Sequence, residues 1–100
     1  MKTVQVSSDA RKDLAEHFRT SVREWGAAHA REYFSKLRSA VMRLNEMPSA
    51  WPWAPDVRPE LRRMIWRNHI VYFRETDTEV QVLAVLHGRQ DAASALEDRT

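Results

Sequence analysis

Residues 61–87, LRRMIWRNHIVYFRETDTEVQVLAVLH, decide the fold. In the first run, Leu61 to Arg67, Met64 and Trp66 fall on one face and Arg63, Ile65 and Arg67 on the other. Asn68 alone separates this run from His69–Glu75, and so short a break between two β-prone runs predicts a tight hairpin. Thr76-Asp77-Thr78 is a second turn. It leads into Val80–His87, which is apolar at both parities, so it is expected to be a central strand covered on both sides. Three runs joined by short turns make an antiparallel meander.

Upstream, residues 46–60 hold all four prolines, Pro48, Pro52, Pro55 and Pro59, and read as a loop. Trp51 and Trp53 lie in it. They can pin the loop onto the core, or one can anchor a partner, since Trp is a frequent binding hot spot. Before the loop come two helical stripes. Ala10, Leu14, Phe18 and Val22 recur every four residues, with Trp25 three further on. Gly26 breaks that helix in the C-cap manner. Ala27, Ala30, Phe34, Leu37, Val41 and Leu44 form the second stripe, and the short link around Gly26 predicts an antiparallel helix hairpin. Lys2–Val6 alternates and reads as a first strand, with Ser7-Ser8-Asp9 as the helix cap. Asp91 caps a short final helix containing Ala92, Ala95 and Leu96. The expected fold is α+β: an N-terminal strand, a two-helix hairpin, a three-stranded antiparallel meander and a short C-terminal helix, all in one domain over residues 1–100.

Composition narrows the function. The chain has no Cys, which excludes disulfides and thiolate chemistry. No apolar run is long enough to span a membrane, and the N-terminus has no signal-peptide core, so a cytoplasmic protein is expected. Gly26 and Gly88 are the only glycines, so there is no Gly-rich phosphate loop. His17, His29 and His69 are not spaced as metal ligands, and neither a metal nor a cofactor is expected. Thirteen of the sixteen basic residues are Arg. Arg58, Arg62, Arg63, Arg67 and Arg74 face only Glu60 between positions 58 and 74, a local net of +4. Their planar forks suit an acidic partner, although they can equally solvate one sheet face.

RPELRRMIWRNHIVYFR (58–74), a hairpin turn, and VQVLAVLHGRQD (80–91), together with AHAREYF (28–34) and a Leu44…Pro48 exit, resemble the ParE-type toxins of the ParE/RelE superfamily. The resemblance runs from Val4 to about Asp91. It implies a toxin of a type II toxin–antitoxin system that inhibits DNA gyrase by binding it. It also implies neutralisation by a cognate ParD-like antitoxin in a hetero-oligomer. No cofactor, no metal, no membrane and no sequence-specific nucleic-acid binding by the toxin alone are implied. The partner-binding residues expected on this reading are Trp51, Trp53, Arg58, Arg62, Arg63, Arg67, Arg74 and Arg89.

RelE-like relatives cleave mRNA on the ribosome, and that enzyme is the alternative. Metal-free RNA cleavage needs proton donors and acceptors beside cations that stabilise the phosphorane. Arg63, Arg67 and Arg74 would supply charge here and His87 the proton transfer. The chain departs from the RelE pattern, however. No aromatic follows His87, Ala84 stands where many members have a basic residue, and every Lys lies in the N-terminal part. No catalytic residue is therefore expected. His87 is read as a structural residue closing the strand, and Gly88 as a turn that a side chain would hinder. A non-toxic homologue that only binds its antitoxin is a third reading.

Overall fold

Thr3–Val6 forms β1, and Ser7 ends it by capping α1, Ser8–Trp25. The Ser7 side chain accepts a hydrogen bond from the Ala10 amide at 3.0 Å, which satisfies one of the helix's orphan donors. The structure is a computed structural model and describes residues 1–100. Gly26 separates α1 from α2, Ala27–Met42, with φ at +90°, a conformation that disfavours any side chain. The helices pack as the expected hairpin. A 3-10 turn at Pro48–Ala50 opens the proline loop, and β2 (Arg62–Trp66), β3 (His69–Glu75), β4 (Glu79–His87) and α3 (Ala92–Leu96) complete the chain.

The sheet order is β1-β4-β3-β2. β4 is central, antiparallel to β3 and parallel to β1. Its near-continuous apolar run follows from that position. Val80, Val82 and Val85 join Leu37, Val41, Leu44, Val71 and Phe73 under the helix hairpin. Leu83, Ala84 and Leu86 face the other side, where Ala54, Leu61, Tyr72 and Leu96 form a second cluster beneath the proline loop and α3. The register slips between Tyr72 and Phe73, so Leu83 is an extra residue on β4. The bulge explains why both Leu83 and Ala84 pack on the second cluster.

β1 pairs only as far as Val82, which leaves that edge of β4 without a strand beyond it. Side chains take its place. Asp13 accepts from the Val85 amide at 2.9 Å, and Gln90 accepts from the His87 amide at 3.0 Å. Arg99 donates to the Leu83 carbonyl at 3.1 Å and grips both oxygens of Asp13 at 2.7 and 2.9 Å. No helix is long and apolar enough to cross a membrane.

Three local expectations need correction. Arg67 is a turn residue and not the end of a strand: Trp66 pairs with His69, and Arg67 takes a φ of +52° in the two-residue loop. Trp25 does not continue the buried stripe but is 69% exposed at the hairpin tip. A side chain at Gly88 would meet open space, so that glycine is not sterically required.

Candidate functional site

Most of the arginines singled out in the sequence are tied up by the fold. Arg62 donates to the Trp51 carbonyl at 2.6 Å and lies 3.7 Å above the Trp53 ring, with Glu75 at 3.8 Å. Arg63 pairs with Asp56 and lies 5.6 Å from the Tyr72 ring. Arg58 pairs with Glu60 at 2.6 Å and also holds the Leu96 carbonyl at 3.3 Å. Arg74 donates to Gln81 at 2.8 Å and to the Thr100 carbonyl. Arg67 lies 4.6 Å above the Trp66 ring and 5.8 Å from that of Tyr33. Arg67, Arg74 and Arg89 of this set have no acidic side-chain partner, Arg74 being held by an amide oxygen and a backbone carbonyl instead. Asp56 and Glu75, both outside the +4 segment, therefore offset about half of its charge. The two tryptophans divide: Trp51 packs against the main core, while Trp53 stays 55% exposed under the Arg62 guanidinium.

The four residues a ribonuclease would use are not brought to one point. Arg63 sits with Tyr72 on the α3 side of the sheet. His87 lies on the helix side, beside His17.

Two depressions flank the helix hairpin. The first, about 730 Å³, is a groove between α1 and α2. Leu14, Phe18, Phe34, Val41 and Met42 give it an apolar lining, and Arg11, Arg31 and Arg38 rim it. Arg31 and Arg38 are exposed and make no ion pair or hydrogen bond. Unpaired positive charge thus also lies on the helices, beside an exposed apolar groove. The signal was present in the sequence: Arg31 and Arg38 are seven residues apart, about two helical turns, and so share a face.

The second depression, about 400 Å³, is polar. His17, His29, Tyr33, His69 and His87 line it. His69 begins β3 and is only 8% exposed. Its Nδ1 meets the Tyr33 hydroxyl at 2.8 Å, and its Nε2 meets His17 Nδ1 at 3.2 Å. The His17 and His87 rings are centred 5.4 Å apart. Burial first, then the neighbouring His17 and His87, push the His69 pKa down to about 4. Burial and His87 also lower that of His17, against opposing pulls from Asp13 and Glu16. Burial raises the pKa of Tyr33. The sequence reading kept these histidines apart because they lie on separate elements. Asp13, His17, Ser21 and Glu24, at near four-residue spacing beside the apolar stripe of α1, are the polar line that marks a second inward face. No group of three or more His, Cys, Asp or Glu side chains is arranged to hold a metal ion.

Known proteins with this pattern agree with the geometry. A family model described as the ParE toxin of the type II toxin–antitoxin system parDE matches residues 4–92. A Toxin ParE of Escherichia coli is 33% identical over 95 residues, covering 94% of this chain and 92% of that protein. A Toxin ParE1 of Mycobacterium tuberculosis is 28% identical over 87 residues, covering 86% and 89%. The fold recurs in a structure titled as a chromosomal ParDE system from P. aeruginosa. Its TM-score is 0.79 at 19% identity, with 87% of this chain and 96% of that one covered. With the strand, helix hairpin and meander in the matching order along nearly its whole length, the chain belongs to the ParE toxin family of type II toxin–antitoxin systems.

Proposed function

We propose that the chain is a cytoplasmic toxin that inhibits DNA gyrase by binding it, and that an antitoxin holds it silent. Family membership over residues 4–92 is the observation that carries this reading. The scattered positions of Arg63, Arg74 and His87 favour docking over catalysis, because phosphoryl chemistry needs its groups converged within hydrogen-bond reach of one atom. The antitoxin would seat an amphipathic helix bearing acidic residues in the groove between α1 and α2. The apolar lining there offers burial, and the unpaired Arg31 and Arg38 offer charge complementarity at the rim. Arg67, Arg89 and the exposed Trp53 would remain for the target.

Co-expression with a cognate ParD-like antitoxin, followed by a supercoiling assay with purified gyrase, tests the proposal. Inhibited supercoiling that the antitoxin reverses is expected. Unimpaired supercoiling together with cut mRNA on ribosomes would replace it with the nuclease reading.

A further inference from the structure

The polar cleft joins three elements through a chain of neutral groups. Tyr33 comes from α2, His17 from α1 and His69 from the start of β3. A neutral imidazole has one donor and one acceptor nitrogen, so protons can be arranged consistently along the row Tyr33 Oη, His69 Nδ1, His69 Nε2, His17 Nδ1. One added proton is also accommodated. A cationic His69 donates to the Tyr33 oxygen on one side and to His17 on the other. A second proton is not accommodated, because two N–H groups and two like charges then meet across 3.2 Å. His87 stands 5.4 Å from His17, ring centre to ring centre, and its Nδ1 accepts from the Arg89 amide at 3.2 Å. Phe34 packs edge-on against His69 at 5.6 Å, so α2 also rests on the same ring.

We propose that the His17–His69 pair is a proton-counting latch that fastens the end of the helix hairpin to the sheet, closed with no or one added proton and opened by the second. Every charged neighbour must be weighed with it. From α1, Asp13 and Glu16 favour protonation of His17, and Glu24 lines the cleft. From α2 come His29 and Tyr33, from the β2–β3 turn Arg67 near Tyr33, and from β4 His87. Asp13 is already committed to Arg99, so it offers little to offset a second charge. Opening frees the C-terminal half of α1, and with it the cleft wall, while the β3–β4 core stays paired.

Hydrogen exchange and imidazole NMR on the full chain, from about pH 7 to about pH 4, test this. Expected is stepwise titration of His17 and His69, the second step coinciding with an exchange increase of about tenfold or more for amides 17–25, corrected for intrinsic rate, relative to β4. His17→Gln keeps a hydrogen-bonding partner for His69 without a second charge and should abolish that increase. If His17→Gln does not fold, His69→Gln carries the same test. Independent titration of both rings with no change in α1 would overturn the latch. So would opening that persists unchanged in the variant, which would place the acid response in the Asp13–Arg99 pair instead. Simultaneous loss of β4 protection would make the event global unfolding and overturn it equally.

Discussion

Asp13 is the residue on which the fold spends the most chemistry. It is 7% exposed, receives a backbone amide of β4 and is clamped by Arg99 from the other end of the chain. Removing its charge strands a guanidinium and weakens the hydrogen bond to Val85 at once. Asp13→Asn is expected to lower stability by about 3 kcal/mol, read as a shift in the urea midpoint. Nothing near Asp13 in the sequence announces this, since its partner is 86 positions away. Local residue chemistry was easier to read. Asp91 accepts from the Ser94 amide at 3.3 Å, as its place before an apolar run suggests. His87 occupies the end of β4 as anticipated, but exposed at the cleft mouth rather than buried. Because Arg63 and Arg74 do not converge on it, His87→Gln should leave growth inhibition within about twofold of the parent in a plating assay.

At the level of elements, periodicity carried the reading. The second helical stripe buried Ala30, Leu37, Val41 and Leu44 as its spacing required. The doubly apolar run became the central strand. Turn chemistry was less legible, because the two-residue loop places an arginine at positive φ where Gly or Asn is usual. The distribution of charge was hidden for another reason. A local count of Arg and Glu cannot register Asp56, Glu75 and the terminal carbonyls that the fold brings to Arg63, Arg62, Arg58 and Arg74. Two further unpaired cations, Arg31 and Arg38, lie exposed on α2. Arg31→Glu combined with Arg38→Glu should weaken antitoxin binding by about tenfold or more and flatten its salt dependence. Isothermal titration at two ionic strengths checks this, with Arg63→Glu as the comparison expected to change affinity less.

Across the whole molecule, two apolar clusters clasp one sheet, and the polar cleft sits where hairpin and sheet meet. That architecture gives stability a definite pH dependence. His69 is held near pKa 4 in the fold and returns to about 6.5 when the chain unfolds. Between those values the unfolded chain binds the extra proton, so stability is full above about pH 6.5 and declines as pH falls towards 4, by up to about 3 kcal/mol from this group. Chemical denaturation at several pH values measures the slope. His69→Gln should flatten it.

The early stop of β1 has one more consequence. A bare strand margin invites a stranger's backbone, and proteins usually blunt such margins with charge or cover. Here Asp13 and Gln90 take the amides and Arg99 takes the carbonyl along the rim that β1 does not reach. Without that arginine the buried Asp13 carboxylate would lose its counter-ion and the Leu83 carbonyl its cover, so a weakened fold and a margin open to self-association would arrive together.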